Sequence, residues 1–194
     1  SFDLDPALGK SINFDCFEPL VYMAKNMGVR RFIYASSSSV YGIKDEARVH
    51  EGLSLEPLTD YSKFKVQCEV VLDKYSSKDF ETCILRPATV CGPAQRQRLD
   101  VIVNIFCKQA YFNGFLKVNG GSQLRPNIHV DDMVNAYLSV LGAPADLING
   151  EAFNVGFENI SVKNLADLVN AVCEKPVQIS IEDSIDNRSY RINS

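Results

Sequence analysis

The chain has only two histidines, His50 and His129, and none of its six cysteines stands in a C-x-x-C pair. A structural zinc site draws four ligands from such residues at close spacing, so no metal centre is expected. Long apolar runs are also missing. The longest fall far short of the ~20 residues that a membrane helix needs. Basic clusters are missing too: 20 Lys and Arg are scattered among 24 Asp and Glu, giving a net charge of −4. That pattern excludes a nucleic-acid surface and a membrane-binding face. The opening "SFDLDPALGK" has no basic stretch followed by an apolar one, so no secretory signal is expected. Cys16, Cys68, Cys83, Cys91, Cys107 and Cys173 lie largely in apolar runs, where free Cys acts as a small hydrophobe. The simplest reading is reduced thiols in a cytoplasmic protein, with a disulfide set as the alternative.

What is present is enough apolar residue for one sizeable core, 46 % of 194 positions. No internal repeat or low-complexity linker appears. Helical and strand patterns alternate, which predicts α/β architecture with a largely parallel sheet. Helices are predicted over 10–27, from Thr59 or Asp60 to about Tyr75, from Asp100 to Phe112, from Asp131 and Asp132 as caps to near Gly142, and from a Ser161 cap onward. Strands are predicted at 30–36, 80–90, 114–118, 125–130, 151–156 and 176–181. Residues 42–57 read as polar loop.

One juxtaposition stands out. "SSSSVYG" (36–42) ends the buried strand "RFIYA", at the carboxyl edge of the sheet, where parallel sheets bind ligands. The next helix carries Tyr61 and Lys65 at i, i+4, on one face. A nearby ammonium favours phenolate and lowers a tyrosine pKa from its usual ~10 toward neutral. Such a tyrosine serves as a general acid or base. The alternative is that Lys65 snorkels to water and the serines merely form a turn.

"FIYASSSSVYG", "YSKFK", "LRPATVCGP" and "RPNIHVDDM" occur in this order. Together they resemble the extended short-chain dehydrogenase/reductases, specifically the NAD-dependent nucleotide-sugar epimerases and dehydratases. The resemblance implies a partial Rossmann-like, doubly wound parallel sheet with a small C-terminal substrate-binding lobe. Residues 1–98 would be the later part of the dinucleotide-binding domain, rejoined by 151–156, and 99–194 mainly the substrate lobe. It implies a catalytic set of Ser37, Tyr61 and Lys65. NAD, with NADP as alternative, would be held by Asn13, Ala35, Ser36, Tyr61, Lys65, Pro87 and Ala88. A nucleoside-diphosphate sugar would be held by Ser37, Ser38, Thr89, Asn104, Lys117, Arg125 and Arg188.

Arg125 matches a diphosphate-binding arginine, whose fork suits two phosphate oxygens; the alternative is an ion pair with Asp131 or Asp132. Asn13 stands in the family's N-x-x-G segment, with Cys16 at the Gly. Thr89 stands where many members have a sugar-nucleotide-binding Asn. His129 reads as a structural strand residue. The resemblance further implies homodimerisation through helices 10–27 and 59–75.

The family's opening strand and G-x-x-G-x-x-G turn, which cradles pyrophosphate, have no counterpart here. The match is expected to cover the later two-thirds of a family member. Dehydratases of the family usually carry Asp-Glu or Ser-Glu after the Ser/Thr, and Ser38 and Ser39 offer no carboxylate. Epimerisation through transient C4 oxidation is therefore the first expectation. A 4,6-dehydratase, a reductase, or a truncated sugar-nucleotide-binding module without activity are the alternatives.

Overall fold

The computed structural model describes residues 5–182 and 192–193. Arg188, a predicted diphosphate ligand, lies outside them. The chain opens with α1 (Pro6–Lys10), a π-helical turn (Ser11–Asp15) and α2 (Phe17–Asn26), not the single helix predicted over 10–27. The start is earlier because the Asp5 side chain accepts from the Leu8 N–H and Pro6 takes the first helical position. The helix restarts at Phe17, which puts Pro19 in its first turn. There the missing proline N–H needs no partner.

β1 (Arg31–Ala35), β2 (Glu81–Pro87) and β6 (Glu151–Val155) form a parallel sheet in the order β1-β2-β6. Side chains alternate across it. Phe32, Tyr34 and Ile84 face α2 and α3 (Asp60–Tyr75), packing with Phe17, Val21, Cys68, Leu72 and Phe80. Ile33, Cys83 and Leu85 belong to the core on the other face, with Met133 and Val140 of α5 (Val130–Gly142) and Ile148 of α6 (Ala145–Ile148). Helices on both faces make this the doubly wound α/β arrangement predicted, in partial form. Arg31 ties β1 to α5: it pairs with Glu81 at 2.6 Å and donates to the carbonyls of Val140 and Leu141, both at 2.7 Å. A cation there satisfies carbonyls at the helix's negative end.

The strand predicted over 80–90 is two strands. At Ala88 the chain leaves the first sheet, and β3 (Thr89–Cys91) pairs instead with β5 (Leu124–His129). β5 also pairs antiparallel with β7 (Glu158–Ser161), a strand the sequence pattern did not reveal. α4 (Ile102–Asn113), β4 (Phe115–Asn119), α7 (Val162–Val172) and β8 (Gln178–Glu182) enclose a separate core around Phe106, Leu116 and Leu165. Gly114 ends α4 in the left-handed conformation, φ +67°. The cap of α5 is His129, whose side chain accepts from the Asp131 N–H; Asp131 and Asp132 lie inside the first turn rather than capping it. All six cysteines are free.

Candidate active site

The four serines divide between two tasks. Ser36 is buried: its N–H donates to the Leu85 carbonyl at 2.7 Å, and its hydroxyl donates to Glu69 of α3. Ser37 caps the 3-10 turn Ser38–Tyr41 by accepting from the Ser39 N–H, and its hydroxyl lies 2.9 Å from that of Ser39. Ser38 is buried in the turn, whereas Ser37 stays half-exposed at its mouth.

Helix α3 is started by a reciprocal capping box between Thr59 and Ser62. This fixes the first turn, where Tyr61 sits, 37 % exposed. One turn on, the Lys65 ammonium donates to the Ala35 carbonyl at 2.7 Å. It lies 4.8 Å from the centroid of the Tyr34 ring and 5.6 Å from that of Tyr61. Burial lowers the Lys65 pKa, opposed by the neighbouring Cys68 and Glu69. Burial also raises the Tyr34 pKa, so that phenol stays neutral. Tyr61, Lys65 and the end of β1 therefore meet at the carboxyl edge of the sheet, with a cation held beside an accessible phenol.

The other predicted residues are distributed around this centre. Asn13 sits in the π-helical turn. Its amide donates to the Gly9 carbonyl at 2.8 Å, and its own carbonyl accepts from the Cys68 thiol. Pro87 and Ala88 close β2. The Ala88 N–H donates to Val155 and Pro87 has none, so neither backbone offers a donor to a ligand. Thr89 pairs in register with Asn127 of β5. Arg125, two residues before Asn127, is buried. Asn127 Oδ1 is the only fully buried side-chain polar atom without a partner among the described residues. Asn104 donates to the Arg98 carbonyl at 2.7 Å, tying α4 to the loop before it. Lys117 is not with these groups: it lies on the β4–β8 sheet and pairs with Glu182 at 2.9 Å.

Four residues without a predicted role complete the centre. Glu69 and Arg86 form a buried pair at 2.7 Å, with a second contact at 3.2 Å. Arg86 also donates to the Tyr41 hydroxyl at 2.9 Å, and Tyr41 donates to Asn154 at 2.8 Å. Burial works against the Arg86 charge, yet the Glu69 carboxylate outweighs it and raises the guanidinium pKa. The signal was in the sequence: a charge inside the buried run "CILRPA" demands a buried partner. Glu69 lies one helical turn beyond Lys65.

Residues 4–156 match the family model described as "NAD dependent epimerase/dehydratase family". The chain belongs to that family. Among curated proteins it is 32% identical over 176 residues to the "Uncharacterized UDP-glucose epimerase YtcB" of Bacillus subtilis (strain 168), covering 89% of this chain and 54% of that protein. It is 29% identical over 178 residues to the dTDP-D-glucose 4,6-dehydratase of Mus musculus, covering 89% and 48%. The crystal structure of UDP-glucuronic acid 4-epimerase from Bacillus cereus, in complex with UDP-glucuronic acid and NAD, superposes with a TM-score of 0.80 at 28% identity, over 91% of this chain and 56% of that one. The chain thus spans about half the length of the curated relatives it matches, less than the two-thirds expected. Among the described residues no helix is long and apolar enough to cross a membrane.

Proposed function

We propose that the protein carrying this chain is an NAD-dependent 4-epimerase of a nucleoside-diphosphate sugar. The observation that carries this reading is the Lys65 ammonium, fixed on the Ala35 carbonyl beside the accessible Tyr61 ring. Tyr61, as phenolate, takes the proton from the sugar 4-hydroxyl and later returns it. Lys65 keeps the phenolate accessible near neutral pH through its charge. Ser37 holds the same sugar oxygen by hydrogen bond. NAD supplies the hydride acceptor and donor when bound.

The residues fit a dinucleotide. Lys65 has three donor hydrogens, and among the described residues one hydrogen bond of its ammonium is seen, to Ala35. The rest suit ribose hydroxyls. Pro87 and Ala88, lacking free donors, would contribute apolar surface beside the nicotinamide. Arg125 suits the diphosphate of the sugar nucleotide. Asn127 Oδ1, on the same strand face, offers an acceptor to a sugar hydroxyl or a base N–H. In this reading residues 1–98 with 151–156 carry the cofactor side, and residues 99–194 mainly the substrate side. Ser38 and Ser39, without a carboxylate, favour epimerisation over dehydration. The exposed Leu20, Tyr22 and Met23 on α2, with Met27 at its C-cap, support pairing of two subunits through α2 and α3. A sedimentation experiment showing only monomer would count against that pairing.

The decisive experiment is calorimetric titration with NAD, NADP and UDP-glucose separately, followed by a 4-epimerase assay. Binding of NAD and of the sugar nucleotide, with interconversion at C4, is the expected result. Saturation with both and no change at C4 would overturn the epimerase reading; loss of water instead would favour the dehydratase.

A further inference from the structure

The Tyr61–Lys65 pair sits on α3, and its serine neighbour sits on the turn after β1. Within the pair, the Lys65 bond to the Ala35 carbonyl ties α3 to the end of β1 but not to the turn that carries Ser37. A buried polar chain reaches the turn itself. Glu69 lies four residues after Lys65 and eight after Tyr61, so all three share one face of α3. Its carboxylate accepts from the Ser36 hydroxyl, immediately before Ser37, and from Arg86 of β2 through both oxygens. Arg86 passes on to the Tyr41 hydroxyl, at the other end of the serine turn. Tyr41 reaches Asn154 of β6, whose amide donates to the carbonyls of Val49 and Asn193. The serine turn is thereby pinned at both ends to the same ion pair. Glu69 and Arg86 are each more than nine-tenths buried, which screens the pair little and makes its geometry strict.

Resting on the acid–base reading of Tyr61 and Lys65, we propose that Glu69 and Arg86 are positioning residues. Their ion pair locks α3 against the serine turn, so that Tyr61, Lys65 and Ser37 converge on one substrate oxygen. Neither residue touches substrate or cofactor. Their effect reaches the chemistry through distance, to which catalysis is steeply sensitive: a displacement of about 1 Å can lower turnover on the order of a hundredfold.

Positioning and simple charge effects make opposite predictions for Tyr61. The charged or titratable groups around it are Lys65, Arg98 and Tyr34, with Glu69 about two turns further along α3 and Arg86 paired to it from β2. Glu69→Gln removes an anion and leaves the Arg86 cation uncompensated. Acting through charge alone, both changes would lower the Tyr61 pKa. Acting through position, the variant lets α3 shift while the Lys65 ammonium stays on the Ala35 carbonyl of β1, so the Tyr61 ring is drawn away from the ammonium and that pKa rises. Glu69→Asp keeps the charge but withdraws it by one methylene, so it separates the two accounts again.

The test is carbon-13 NMR titration of labelled tyrosine in the chain, with Tyr61→Phe assigning the resonance. Turnover and the KM for sugar nucleotide are measured alongside. The expected result is a wild-type Tyr61 pKa clearly below the ordinary ~10. Glu69→Gln, Glu69→Asp and Arg86→Lys should each move it upward, with kcat at least about tenfold lower and KM little changed. Ser36→Ala leaves the ion pair and its link to Tyr41 in place and cuts only the link beside Ser37. It should lower kcat while leaving the Tyr61 pKa where it was, and it keeps the proposal testable if the pair variants do not fold. A Tyr61 pKa that falls or stays put in the Glu69 variants, with the fold retained, overturns the positioning role. So does wild-type kcat in Ser36→Ala. A wild-type Tyr61 that titrates at its ordinary value instead overturns the acid–base reading itself.

Discussion

The Lys65 ammonium donates to the Ala35 carbonyl at 2.7 Å and lies 5.6 Å from the centroid of the Tyr61 ring. The strand end thus holds the cation, and the cation faces the phenol from a fixed point. Lys65 is partly desolvated, so its field on Tyr61 is screened less than at an open surface. Tyr61→Phe removes only the hydroxyl. Turnover should fall by orders of magnitude, with sugar-nucleotide affinity little changed, as read by steady-state kinetics and calorimetry. Unchanged turnover would remove Tyr61 from the mechanism.

The alkaline stability of the fold should carry the signature of Cys83. This thiol is fully buried in β2, and burial pushes its pKa from 9.0 up to about 11. A raised folded-state pKa means that the native state holds its proton where the unfolded state has lost it. That stabilisation is complete below pH 9 and disappears as pH rises through about 11. Urea titrations between pH 8 and 11 should show stability falling, and Cys83→Ala should flatten the fall even though it lowers stability at neutral pH. An identical slope in the variant would assign the pH dependence to other groups.

The sequence pattern served well where one physical signal dominated. The capped helix at Thr59, the strand before the serines and the Tyr61–Lys65 spacing all depend on local chemistry, and all appear as read. It served poorly where tertiary pairing decided. The run 80–90 keeps strand character throughout, and only Pro87, which cannot donate to a ladder, marks the place beside Ala88 where the chain changes sheets. β7 is only four residues long and owes its form to β5. The break in the first helix was written in Pro19 but masked by the broad apolar face around it. The charge inside "CILRPA" announced that Arg86 needs a buried partner, but Glu69, 17 residues away, was identifiable as that partner only once α3 and β2 lay side by side.

Helix α3 depends on its cap more than on its composition. Thr59 accepts from the Ser62 N–H, and Ser62 returns a bond to the Thr59 N–H, both within the turn that carries Tyr61. Thr59→Ala removes the acceptor and should cost about 1 kcal/mol. For a chain of this size that is a fall of roughly 2–4 °C in Tm. Thr59→Ser keeps the acceptor and should restore most of the loss. Fraying of the first turn should also lower kcat more than it raises KM, because Tyr61 is the residue released. A Tm unchanged in Thr59→Ala would mean that packing alone holds this turn.

Gly42, which closes the serine turn, should be the least tolerant glycine of the fold. Its φ of +69° and ψ of −144° lie in a region that side chains essentially avoid. A Cβ there would meet the Glu56 carbonyl oxygen at 2.1 Å, a backbone atom that cannot swing aside. Gly28 has a similar φ of +80° but open space around it. Gly28→Ala therefore measures the conformational strain alone, about 1–2 kcal/mol. Gly42→Ala adds the collision and should exceed it clearly. Relief of that collision requires either the 42–58 loop or the turn Ser38–Tyr41 to move. The second route shifts Ser37 and Tyr41 together, so Gly42→Ala should lower turnover as well as stability. Equal unfolding free energies for the two variants would show that the Glu56 segment yields freely and that the turn is not held from this side.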